Sequence, residues 1–155
     1  MPPPQRPNRR VAFLFLTIAL LGLADAGYLT WHFYSGIPPP CTINGCEIVL
    51  TSPYAAIAGI PVALWGVGYY ATLVLIVSAA LLKKRSSWLI AAFAVTPIGF
   101  LMSLYFLAIQ AVLLHSYCLY CLASAGISTT LFAIAAFAIH RRKWYTVANN
   151  TVPLQ

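Results

Sequence analysis

Acidic side chains are almost missing from this chain of 155 residues: only Asp25 and Glu47 stand against 9 Lys and Arg, and charged residues make up 7% of the whole. A soluble domain carries roughly 25% charged residues, so an ordinary water-surrounded enzyme is excluded. Apolar residues reach 61%, which excludes a disordered chain as well. The net charge of +7 would suit a nucleic-acid binder, but such proteins gather their bases on one face or stripe. Here the bases form three short clusters, Arg6/Arg9/Arg10, Lys83/Lys84/Arg85 and Arg141/Arg142/Lys143, each beside a long apolar run. No nucleic-acid partner is expected. The surroundings implied are a lipid bilayer.

About 18 or more apolar residues suffice to cross a bilayer core of roughly 30 Å as a helix. Spans are predicted over Val11 to about Trp31, about Gly59 to Leu82, Trp88 to about Leu114 with Pro97 inside, and about Cys118 to Ile139. Backbone groups in lipid must be satisfied internally, and the chain lacks the alternation of a barrel, so the expected fold is an all-α membrane protein, a bundle of four transmembrane helices. Residues 1–10 and 141–155 read as tails and 32–58 as an outer loop, with a short helix around Tyr54–Ala58 that Ser52 and Pro53 would start. Gly22, Ala26, Gly59, Gly66 and Gly68 are expected to let helices approach closely.

The bases sit before span one, between spans two and three, and after span four, whereas His32–Ala58 and His115–Tyr117 contain none. The positive-inside rule therefore assigns both termini and the Lys83–Ser87 turn to the cytoplasm, and the other connections to the outside. A competing reading takes Arg9/Arg10, the apolar run and Ala24-Asp25-Ala26 as a cleavable signal peptide. The apolar and aromatic residues that continue through Tyr34 favour a span.

Under this topology all 4 cysteines face outward, where disulfides persist. Cys118-Leu119-Tyr120-Cys121 places two sulfurs on one face of a helix's first turn, where free N–H groups favour a thiolate. Cys41 and Cys46 flank a turn at Asn44-Gly45 and follow Pro38-Pro39-Pro40, which keeps the approach out of a helix. Such a pair can form an exposed, labile disulfide that meets a soluble partner on one side and the C-x-x-C on the other. Structural disulfides, a metal site and inert thiols are the alternatives, and four cysteines permit three pairings.

The loop cysteine pair, the run Cys46-Glu47-Ile48-Val49-Leu50-Thr51-Ser52-Pro53-Tyr54, Gly59-Ile60-Pro61, Trp65-Gly66 and Cys118-x-x-Cys121 together resemble bacterial-type members of the vitamin K epoxide reductase family, from about Gly22 to Gly126. The resemblance implies a four-helix bundle around a quinone of menaquinone or ubiquinone type, in a bacterial inner membrane with the active site on the periplasmic side. It implies that electrons pass from a thioredoxin-like dithiol protein to Cys41, through Cys46 to Cys118, and from Cys121 to the quinone, in support of disulfide bond formation. Ser52 matches the family's Ser/Thr in the segment covering the pocket. Ala125 stands where animal members carry Tyr, so a respiratory quinone is expected rather than vitamin K epoxide. The chain continues only to Gln155 after His140, so the dithiol carrier is expected as a separate protein. The other bacterial quinone-linked disulfide-forming family carries its C-x-x-C in the first outer loop, the reverse of the order here.

Further candidates stand on residue chemistry. Asp25 lies about fourteen residues into span one, roughly 21 Å deep at 1.5 Å per residue, and an intramembrane carboxyl is a functional candidate by default. It can relay protons to a bound quinone or hydrogen-bond a neighbouring helix. Trp65, Tyr69, Tyr105 and Tyr117 can line an aromatic pocket or simply pack. His115 can stabilise the Cys118 thiolate or face water, and Glu47 can tune Cys46. A different class of function, a small transporter with Asp25 as coupling carboxylate and structural disulfides, would call for a broken helix, for which Pro97 is the hint.

Overall fold

A computed structural model describes residues 9–42 and 45–150, with side chains through Arg141. Asn44 of the expected turn, Arg6, the side chains of Arg142 and Lys143, and residues 1–8 and 151–155 lie outside the described residues. Four long helices carry the fold: α1 (Arg9–Ser35), α3 (Val62–Leu82), α4 (Ser86–Ala108) with a π-helical extension Ile109–Leu114, and α5 (Leu119–Asn150). Between α1 and α3 lie the short α2 (Cys46–Leu50), a 3-10 turn Pro53–Ala55, and a two-stranded hairpin of β1 (Ala56–Ile57) and β2 (Ile60–Pro61). Helix α1 packs on α3 and α5, and α4 packs on the same two.

Each long helix buries only a narrow stripe. In α1 the buried residues Ala12, Phe15, Ala19, Gly22, Ala26 and Leu29 follow one another at alternating steps of three and four, one face of a 3.6-residue repeat. In α3 the stripe is Tyr70, Leu73, Val77 and Ala80. The remaining surface is equally apolar: between 17% and 28% of the most hydropathic stretch of each span is buried inside the bundle. Apolar residues on the outside are what a lipid surround permits, because hydrocarbon replaces water there and offers no drive to hide them. The Ala24-Asp25-Ala26 stretch sits within an uninterrupted helix whose Ala26 and Leu29 are part of the core.

Small residues set the helix spacing, as expected of Gly22 and Gly66. A Cβ on Gly22 would overlap the Tyr70 ring, and one on Gly66 would come within 3.3 Å of the Ala26 Cβ. Gly68 approaches nothing, and Gly59 does a different job: with Ala58 it takes positive φ (79° and 52°) in the two-residue turn of the hairpin, the combination that matches strand twist. The helix expected at Tyr54–Ala58 is therefore a single 3-10 turn followed by this hairpin. Pro53 can open a turn, but Ile57 pairs with Ile60 and pulls the chain into extended form.

Pro97 lies inside α4 without breaking it. A proline cannot donate to the carbonyl four residues back, here Phe93. The buried Thr96 hydroxyl donates to that oxygen at 2.8 Å, so the carbonyl keeps a partner inside lipid. The irregular backbone comes later, where the π-helical turn ends at His115 in the left-handed conformation. At the other end of the molecule α5 continues past Ile139 to Asn150, where the sequence reading has a tail.

Candidate active site

The segment between α1 and α3 is fastened to the mouth of α5 at two places. The Tyr120 hydroxyl donates to the Pro40 carbonyl at 2.8 Å, fixing the end of the triple-proline run. Gly45 lies so close to Tyr117 that a Cβ would overlap its carbonyl. These contacts deliver Cys46, the first residue of α2, to the residue that precedes α5. Cys46 and Cys118 are both buried and share one apolar cluster with Val49, with Cys41, Leu50, Leu114, Tyr120 and Cys121 packed around it. Cys41 and Cys46 form a disulfide with Cα atoms 6.1 Å apart, while Cys118 and Cys121 are free thiols. Cys41, half-buried, is the more exposed member of the loop pair.

Cys118 stands just ahead of the membrane span Leu119–Arg141, in the position where a capping side chain accepts the free N–H groups of a helix start. Its sulfur plays that part, accepting the Cys121 N–H at 3.4 Å. Its own N–H donates to the side-chain carbonyl of Gln110 at 2.9 Å. The Cys121 thiol and the N–H groups of Cys121 and Tyr120 favour the ionised sulfur, burial opposes them, and the balance brings the Cys118 thiol down to about 7. Near neutrality a substantial share of Cys118 is therefore thiolate, the form that attacks disulfides.

Below this cluster lies a cavity of about 1050 Å³. Asp25 of α1, Ser52 of the loop, Trp65 and Tyr69 of α3, Gln110 and Cys121 all border it, and Cys41, Cys46 and Cys118 do not. The three non-cysteine candidates thus meet around one space. Ser52 does not cap the turn it precedes; its hydroxyl donates to the Val49 carbonyl at 2.7 Å. Tyr105 and Tyr117 are exposed and lie off the cavity. His115 is exposed and is not among the groups acting on Cys118, and Glu47 is exposed beside Cys46.

The cavity has a polar corner that the sequence did not reveal. The Tyr70 hydroxyl donates to the Ser124 carbonyl at 3.1 Å and lies 3.2 Å from the Ser124 hydroxyl, and the Ser124 side chain also acts on the Asp25 carboxyl. Asp25 Oδ2 and the Tyr69 hydroxyl are buried without a hydrogen-bond partner in the described structure. Apolar walls with a few unspent polar groups are the usual make-up of a small-molecule site. They suit a flat apolar ring bearing carbonyl oxygens, since the Tyr69 hydroxyl has a hydrogen to give.

The vitamin K epoxide reductase family model matches residues 13–136, a segment that contains all four cysteines. The chain belongs to the vitamin K epoxide reductase family. A thiol-disulfide oxidoreductase of Arabidopsis thaliana, LTO1, is 35% identical over 123 residues, covering 73% of this chain and 32% of the relative. The chain thus spans about a third of the length of that relative. This family member carries four helices long and apolar enough to cross a membrane. The transporter reading loses its hint, because the helix holding Pro97 is continuous. Gln110, Tyr120, Ser124 and Tyr70 escaped the sequence reading. Only Ser124, one turn on from Cys121, carried a positional signal.

Proposed function

We propose that this family member takes electrons from a separate thioredoxin-like dithiol protein and delivers them to a membrane quinone, supporting disulfide bond formation outside a bacterial inner membrane. The observation that carries this reading is a division of labour among the sulfurs. Cys41 is the more exposed of the loop pair, Cys46 and Cys118 are buried in one cluster, and Cys121 borders the cavity.

The partner's thiolate attacks Cys41, Cys46 leaves, and the partner's second thiol resolves the mixed disulfide. Cys46 then attacks Cys118 of a Cys118–Cys121 disulfide, and Cys41 resolves that bond, closing Cys41–Cys46 and leaving two thiols at the helix mouth. The pairing in the structure, with the loop disulfide closed and the C-x-x-C reduced, corresponds to this state. A quinone of menaquinone or ubiquinone type in the cavity would supply a sink for two electrons and two protons. Trp65 and Ser52 border its place, Tyr69 offers a hydrogen bond, and Asp25 adds a carboxyl. The basic clusters orient the bundle with its cysteines outward.

The test is reconstitution in vesicles with a reduced thioredoxin-like protein and a quinone, following quinone absorbance. Replacement of any of the four cysteines by Ala should abolish electron flow from the protein dithiol, and a partner lacking its resolving cysteine should be trapped on Cys41. Continued quinone reduction by the Cys121→Ala variant, or trapping on Cys46 instead, overturns the assignment.

A further inference from the structure

The geometry points to a proton-holding cluster made of Asp25, Ser124 and Tyr70, in which the Asp25 carboxyl takes up a proton lost by the Cys118/Cys121 pair and returns it to the cavity. The inference rests on the function proposed above and deepens it. Three helices contribute one residue each: Asp25 from α1, Tyr70 from α3 and Ser124 from α5. Ser124 follows Cys121 by three residues, so the two lie on one face of α5 a turn apart. Its hydroxyl lies 3.2 Å from the Tyr70 hydroxyl and interacts with the Asp25 carboxyl, a route along which a proton can pass by exchange of O–H bonds. Asp25 is close enough for its charge to act on both Cys118 and Cys121. Its Oδ2 carries no hydrogen bond in the described structure, so one lone pair is spare.

The groups that share this corner impose no fixed positive charge. They are Tyr69 and Tyr70 on α3, Cys118, Tyr120 and Cys121 at the start of α5, His32 further along α1, and Tyr54 in the loop. Among the described residues Asp25 is the one acid bordering the cavity, and no Lys or Arg borders it. A carboxyl so placed can exist in either protonation state. A purely structural carboxylate would be held by a cation or by hydrogen bonds to both oxygens.

The balance is simple. Counted from two thiols, including the proton Cys118 gives up when it ionises, oxidation of the pair breaks two S–H bonds, forms the Cys118–Cys121 bond, and releases two electrons and two protons, all of which end on the quinone acceptor. Asp25 takes up one of these protons through the Ser124 hydroxyl and gives it up only when a quinone is reduced, so it returns to its starting state over a full turnover but stays protonated while the cavity holds no quinone. Without it, that proton has no carboxyl in the cavity to hold it while the electrons leave.

The experiment uses the full chain in lipid nanodiscs. Infrared difference spectra between the dithiol form and the form oxidised by diamide, with no quinone present, should contain a carboxyl band that Asp25→Asn removes and Asp25→Glu retains in shifted form. In single-turnover oxidation by a short-chain ubiquinone, Asp25→Asn should slow the reaction about 100-fold, at the lower end of what a positioned acid–base group contributes. Asp25→Glu should recover most of that loss, and Ser124→Ala should lose about tenfold by breaking the bridge. No carboxyl band in the native protein, or a native rate in Asp25→Asn, overturns the cluster. If the native dithiol gives no electrons to quinone while the carboxyl band persists, the proposed acceptor fails and the cluster stands.

Discussion

Gln110 accepts the backbone N–H of Cys118 on its side-chain oxygen at 2.9 Å, while its own main-chain carbonyl takes the Ser116 N–H at 3.2 Å. One residue at the π-helical turn thus ties down both ends of the connection that presents the C-x-x-C. Gln110→Leu should leave a buried N–H unpaired, at about 1–3 kcal/mol, and lower the thermal midpoint. Gln110→Glu keeps an acceptor and should restore transfer between the two cysteine pairs. Equal loss in both variants would show that the acceptor is not what matters.

Tyr120→Phe keeps the ring and removes the hydroxyl that donates to Pro40. A bond of this kind contributes about 0.5–1.5 kcal/mol, so the docked population of the loop should fall roughly two- to tenfold. The readout is the rate at which added diamide, the two-electron oxidant, closes a Cys46–Cys118 disulfide in a chain from which Cys41 and Cys121 have been removed. An unchanged rate means Gly45 and α2 hold the loop without help.

The Cys118 thiol, brought down to about 7, should ionise as pH rises through neutrality. Thiolate absorbance of the dithiol form should therefore grow with a midpoint near 7. The Cys121 thiol is the largest of the lowering influences, so Cys121→Ala should move that midpoint upward, toward an ordinary thiol. A midpoint that stays put would assign the effect to the backbone N–H groups alone.

Thr96→Val should destabilise the bundle by about 1–3 kcal/mol through an unpaired Phe93 carbonyl. Thr96→Ser retains the hydroxyl and should cost far less. In a Pro97→Ala background the same Thr96→Val change should cost little, because the introduced alanine has a backbone N–H of its own to give the Phe93 carbonyl. Thermal unfolding in one detergent across these variants checks all three statements.

The four helices were legible because each is a long apolar run with bases confined to its ends, a pattern only a bilayer makes sense of. The convergence of Asp25, Ser52 and Trp65 on one cavity was partly legible, since each carried its own chemical oddity: an acid in lipid, a hydroxyl before proline, a large ring at a helix start. Tyr120 and Gln110 were not. The Tyr120 bond joins residues 80 apart in sequence. The Gln110 bond depends on a π-helical turn, a register change that a 3.6-residue pattern does not register. The hairpin at Ala56–Pro61 was missed because a Ser-Pro start is the same whether a helix or one turn follows.

Cys118 is fully buried beneath the loop segment, while Cys121, one turn away, borders the cavity. Two neighbouring sulfurs are therefore reached by different routes. A small apolar reagent that enters the cavity can modify Cys121 with the loop in place, but Cys118 reacts only when α2 lifts away. The labelling of Cys118, measured against that of Cys121 in the same molecule, becomes a clock that counts loop openings, with its neighbour as the internal standard.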